Sequence, residues 1–176
     1  MDAGKTRWLI LIYQLPREPS RHRVAVWRKL KTLGALYLQD GAAVLPEDAV
    51  TREQLEWLQL KVRESGGDAT LWESLPNTVA EDRELIEAFR ASCEEVFRKV
   101  IEEAERLRQR AALGSDGASL LDELGKIERE FRAERRRDSF RSPMRDEAAS
   151  ILRETRLALR DDGDAAGSGS AGGVVG

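Results

Sequence analysis

The chain has 176 residues, of which 41% are apolar and 35% charged, with a net charge of −3. That apolar content excludes a fully disordered or fibrous protein, while the charge exceeds the ~25% usual for globular domains. A single cysteine (Cys93) and a single histidine (His22) exclude an intrachain disulfide and speak against zinc sites, Ser-His-Asp triads and Cys-His dyads. Charge is unevenly spread: residues 79–160 hold 18 basic and 19 acidic side chains, against 11 and 10 in residues 1–78. No run reaches the ~18–20 apolar residues of a membrane span, and no small-residue cleavage site follows the apolar start, so a cytoplasmic protein is expected.

Trp8–Leu15 is a continuous apolar run stopped by Pro16, the pattern of a central strand buried on both faces. Ser20 is the expected N-cap of a helix whose apolar row is Val24, Trp27, Leu30 and Leu33, with Gly34 as its C-terminal stop. Ala35–Gln39 and Ala42–Leu45 form a hairpin about Asp40-Gly41, closed by Pro46. Thr51 and Gln54 have capping-box spacing ahead of a second helix with Leu55, Leu58 and Val62, which ends at Gly66-Gly67. Asp68–Leu75 is a fourth strand. The order β-α-β-β-α-β over residues 1–77 predicts a ferredoxin-like α+β domain.

From 78 to 160 the pattern is helical. Thr78 and Glu81 form a second capping-box pair, and Leu85, Phe89, Cys93, Val96, Val100, Ala104, Leu107 and Ala111 recur in steps of three and four. Gly114–Gly117 breaks this helix. Leu120, Leu124, Ile127 and Phe131 continue it on a second, predicting an α-helical hairpin. Ser142-Pro143 opens a third helix through Met144, Ala148, Ile151 and Leu152, expected to end near Arg160. Residues 161–176, rich in Gly, Ser, Ala and Asp, are expected to be a disordered tail.

Two basic clusters carry the functional expectation. No acidic residue interrupts positions 19–39, which hold Arg21, Arg23, Arg28, Lys29 and Lys31. Arg21, Arg28 and Lys31 share a helix face that could neutralise phosphates. The second cluster is Arg135, Arg136, Arg137 and Arg141, with Glu128, Glu130 and Glu134 as local partners. Gln14 ends the first strand, where a metal-dependent nuclease of this fold would carry an acid; an amide is a poor Mg²⁺ ligand. Asp40 and Glu47 are its acidic neighbours in sequence. No catalytic residue, metal ligand or cofactor is assigned. Cys93 and the tryptophans fall on apolar rows and are read as core, Trp72 with the weakest case.

Three segments carry a family resemblance: Trp8–Pro16, then Arg23-Val-Ala-Val-Trp-Arg-Lys-Leu-Lys-Thr-Leu-Gly-Ala35, then Ala43-Val-Leu-Pro46. Together they resemble the N-terminal domain family of the chromate-resistance regulator ChrB. Arg137-Asp-Ser-Phe140 with Pro143 resembles that family's Arg-Asp-Phe-Phe segment, with Ser139 in place of the first Phe. There is a more distant similarity to the ferredoxin-like domain of the phenylacetate-catabolism repressor family and to the small CRISPR-adaptation nucleases. Both usually have an acid where Gln14 stands. The resemblance implies a bacterial, homodimeric, DNA-binding regulator, with promoter DNA as partner. Its effector would be chromate or another oxyanion, or it would work with a separately encoded sensor domain. The alternatives are a protein-interaction module without DNA binding and, third, a metal-dependent nuclease.

Overall fold

Trp8–Gln14 (β1) is the inner strand expected, with both edges paired, but it is buried on both faces only in part: Trp8, Leu9 and Leu11 are buried while Ile12 is exposed. A computed structural model describes residues 4–168. Its four-stranded antiparallel sheet has the order β2-β3-β1-β4, with β2 at Leu36–Gln39, β3 at Ala42–Pro46 and β4 at Asp68–Ser74. β1 faces β3 from Trp8 opposite Pro46 to Ile12 opposite Ala42, and β4 from Trp8 opposite Ser74 to Gln14 opposite Asp68. Ser20–Leu33 (α1) joins β1 to β2, and Ala49–Glu64 (α2) joins β3 to β4. Leu9, Leu11, Leu30, Leu55 and Val62 are fully buried. Three helices follow: α3 (Val79–Ala112), α4 (Gly117–Arg137) and α5 (Met144–Ser168). The protein is therefore a mixed α+β chain.

The punctuation works largely as expected. Gly34 takes a left-handed conformation (φ 77°), and its N–H bonds Leu30 and Lys31 carbonyls. Thr78 and Glu81 close a reciprocal box at 2.8 and 3.1 Å. Two caps differ. Pro19, not Ser20, precedes the first turn of α1, and Glu18 accepts the Ser20 N–H at 3.2 Å. Asp48 caps α2, accepting from the Thr51 N–H and hydroxyl, both at 2.8 Å. An aspartate reaches the third N–H of a helix readily, so α2 starts ahead of Thr51. At α5, Asp138 rather than a Ser142 side-chain cap organises the entry, its carboxylate taking the Ser142 N–H at 2.9 Å.

The apolar row of α1 is the clearest departure. Val26 and Leu30 are buried, whereas Val24 and Trp27 are 42% and 47% exposed. Residues three apart turn 300° and so drift around a 3.6-residue helix; only alternating steps of three and four hold one face. Of the four tryptophans, Trp8 alone is core; Trp57 and Trp72 are half exposed like Trp27.

The chain forms two compact units that divide between Phe89 and Arg90, inside α3 and not ahead of it. In the first unit Trp8 stacks at 5.3 Å on Phe89, and its indole N–H donates to Asp82 Oδ1 at 2.9 Å. The other Asp82 oxygen takes the Thr6 N–H at 3.1 Å. The early turns of α3 thus complete the sheet unit. In the second unit Phe97, Leu107, Leu124, Phe131, Leu152 and Leu159 belong to one core drawn from α3, α4 and α5. Phe97 meets Phe131 at 5.7 Å, and Arg110 grips Glu123 at 2.6 and 2.9 Å. α5 continues past the expected end at Arg160 to Ser168, through Gly163 and Gly167; each glycine costs a helix only about 1 kcal/mol relative to alanine. Residues 169–176 of the expected tail lie outside the described residues. Among the described residues no helix is long and apolar enough to cross a membrane.

Two measurements check these contacts. Asp82→Ala strips the acceptor from the buried Trp8 indole, and the expected cost is about 2 kcal/mol in urea unfolding. Glu128 is held by Arg156 at 2.7 and 2.6 Å, which keeps its carboxyl below the ordinary 4.5. A depressed folded pKa stabilises above the unfolded value and is lost as pH falls through the folded one. Glu128→Gln is therefore expected to cost about 1 kcal/mol at neutral pH. The gap should close in acid, below the folded pKa, where the wild-type carboxyl is itself protonated.

Candidate nucleic-acid interface

α1 carries its basic residues on three sides. The helix repeat places Arg21, Arg28 and Lys31 on the solvent side opposite Val26 and Leu30, with the exposed Val24 between them. All three are exposed, and none makes an ion pair among the described residues. Lys29 turns toward α2, its ammonium 5.9 Å from the Trp57 ring. Arg23 turns toward the end of the sheet. Lys31 sits 5.0 Å over Trp27, and Lys61 5.5 Å over Trp57. Such contacts at exposed sites are worth about 0.5–1 kcal/mol each and hold the ammonium groups beside the rings.

The tryptophans are what the sequence reading missed. A signal was present: Trp27 and Lys31, and Trp57 and Lys61, share a spacing of four residues, which aligns two side chains along a helix. Core burial and this pairing use the same spacing, so a large aromatic on a helix is ambiguous until the buried side is known.

A groove of about 710 Å³ lies at the end of β1. Tyr13, Gln14, Arg23, Trp27, Asp40 and Asp68 line it. Gly41 borders it, and Gly41 and Gly67 let the flanking segments approach the β1 carbonyls of Tyr13 and Gln14. A Cβ at Gly41 would stand 2.5 Å from the Tyr13 carbonyl oxygen, and one at Gly67 2.3 Å from that of Gln14. These segments bring Asp40 and Asp68 to opposite sides of Gln14. Burial is the main influence raising the Tyr13 phenol, which hydrogen-bonds Tyr37. Glu47, the other acid considered with Gln14, is at the opposite end of the sheet, because the register sets Pro46 against Trp8. Among the described residues no group of three or more His, Cys, Asp or Glu could hold a metal.

The second cluster belongs to the helical unit. Arg135 and Arg136 are exposed in the last turn of α4, whereas Arg137 is drawn in, 2.9 Å from the buried Glu134. Arg141 is exposed at φ 50° in the following turn. Cys93 is buried in this core as expected; burial, then Glu134, pushes its thiol up to about 12, so it is protonated at neutral pH and unreactive.

The family model described as "Protein ChrB, N-terminal" matches residues 23–165. Over 57 residues the chain is 40% identical to Protein ChrB of Cupriavidus metallidurans, an alignment covering 32% of this chain and 18% of that protein. No solved structure matches. The chain, with its basic α1 on an antiparallel sheet and a charged helical unit after it, thus belongs to the ChrB N-terminal domain family.

Proposed function

We propose that the chain is a DNA-binding transcriptional regulator of repressor type, non-enzymatic, cytoplasmic and homodimeric, associated with chromate resistance. The observation that carries this reading is the outer face of α1, where Arg21, Arg28 and Lys31 stand exposed without acidic partners. Cations fixed on a short rigid helix neutralise neighbouring phosphates and release counterions. Arg23 and Lys29 flank that face, and Arg135, Arg136, Arg137 and Arg141 form a second anion-binding patch in the helical unit. Family membership supplies the link to chromate. The effector is chromate or a related oxyanion, which suits paired guanidinium groups, or it acts through a separately encoded sensor domain. We read the β1-α1-β2-β3-α2-β4 unit as ferredoxin-like and α3 with α4 as a helical hairpin.

A second reading rests on the sheet face that carries Ile12, Leu38 and Trp72, which are 47%, 50% and 57% exposed. Exposed apolar groups gathered on one face suit a protein-interaction module.

The test is a gel shift with DNA from the chain's own promoter region across a salt series. Arg28→Ala and Lys31→Ala are each expected to weaken binding uniformly across sequences and to lower the salt slope by about 1. No shift at low salt, with helicity intact, would leave the interaction reading in its place.

A further inference from the structure

The outer face of α1 explains a phosphate contact but leaves the groove at the end of β1 unused. Its lining is unsuited to a phosphate alone. Arg23 supplies one positive charge, while Asp40 and Asp68 bring two carboxylates to the same space. It is not a purely apolar pocket either, since Gln14 and both aspartates border it alongside Ile12, Leu15 and Ala69. Its volume falls within the usual 300–1,000 Å³ of small-ligand sites.

The lining does match the two parts of a nucleotide taken separately. The Trp27 ring borders the groove and is 47% exposed. An exposed indole on a fixed helix is a stacking platform for a base. Gln14 offers an amide donor and acceptor, and Asp40 and Asp68 offer acceptors only. Such a set receives the amino and imino N–H groups of a base edge. Arg23 lies one helical turn before Trp27, and Lys31 one turn after it, held 5.0 Å from the ring. A strand entering with its base on Trp27 thus has a cation for the phosphate on either side.

A paired base offers neither what Trp27 needs nor what Gln14 and the aspartates need. Its faces are stacked on its neighbours, and its Watson–Crick edge is taken by its partner. An unpaired base presents both.

We propose that the groove lined by Gln14, Arg23, Trp27, Asp40 and Asp68 is a binding site for a single unpaired nucleobase of a DNA strand, stacked on Trp27. The site rests on the DNA-binding reading above and adds to it a preference for frayed, flipped or single-stranded positions over intact duplex. Gly41 and Gly67 let the segments that carry Asp40 and Asp68 pack against the β1 main chain beside Gln14.

The full chain is titrated, by fluorescence anisotropy of a labelled oligonucleotide at about 50 mM salt, with a blunt duplex and with the same duplex carrying a short single-stranded overhang. The overhang duplex is expected to bind about tenfold more tightly, in keeping with stacking of one base on an aromatic side chain. Trp27→Ala should bring the two affinities together, and Trp27→Phe should restore the difference. Arg28→Ala should weaken both substrates by the same factor and leave their ratio unchanged. Circular dichroism of each variant establishes that it folds; the half-exposed Trp27 is outside the core. Equal affinity for the two substrates in the wild type, or a ratio that survives Trp27→Ala, overturns the groove while the DNA-binding reading stands. Absence of binding to either substrate overturns both.

Discussion

A strand that is apolar along its whole length must be covered on both faces, and meeting that demand for β1 organises the first unit. β3 and β4 take its two edges, so its backbone groups are satisfied by the sheet. Leu9 and Leu11 on one face pack into the core formed with α1 and α2. On the other face Trp8 is the largest group to be buried, and its indole N–H cannot be buried without an acceptor. Asp82 provides one, together with an acceptor for Thr6. The carboxylate anchors the start of α3 to the sheet through two hydrogen bonds to separate residues. Farther along the same face the demand is met only in part, which leaves Ile12 and Trp72 exposed.

The helical unit solves a different problem. Its three helices meet along one apolar seam, and charged side chains fill the remaining surface. Several of these pair between helices, as Arg110 with Glu123 and Arg156 with Glu128, both bidentate. Much of the high charge of residues 79–160 is therefore structural: Arg110, Arg137 and Arg156, among others, have anions beside them. In α1 the balance is reversed. Lys29 and Lys31 have aromatic rings beside them in place of carboxylates, and Arg21 and Arg28 stand exposed with no ion pair among the described residues.

Much of the architecture was legible because each element carries its own stop. Pro16, Gly34, Asp40-Gly41, Pro46, Gly66-Gly67 and Pro76 bound the elements almost to the residue, since proline and glycine act on the backbone directly and owe little to tertiary context. Which side of α1 faces the core was not legible. Val24, Trp27, Leu30 and Leu33 look like a row, but their spacing carries them around the helix, and Val26 decides the matter from inside the sheet unit. The same error hid the exposed tryptophans. The groove was half legible. Gln14 and Asp40 stood out as residues worth weighing, but Asp68 joins them only through the pairing of β1 with β4, a relation no local pattern contains. The division of the units was hidden for a similar reason. α3 is one uninterrupted periodic helix, and only the partners of Trp8 and Phe89 show where its allegiance changes.

Gly41 and Gly67 have a consequence for how this scaffold can vary. Each sits so close to a β1 carbonyl that any side chain would displace backbone, so drift at these two positions is closed off. The residues around them are free of that restriction: Gln14, Asp40, Asp68 and Trp27 border open space, where exchange costs the fold little. Shape and chemistry are thereby separated, with the approach of the flanking segments to β1 set by main chain and the lining of the groove by replaceable side chains. On the reading proposed for the groove, exchange of these side chains would alter what it binds while the main chain around it stays in place.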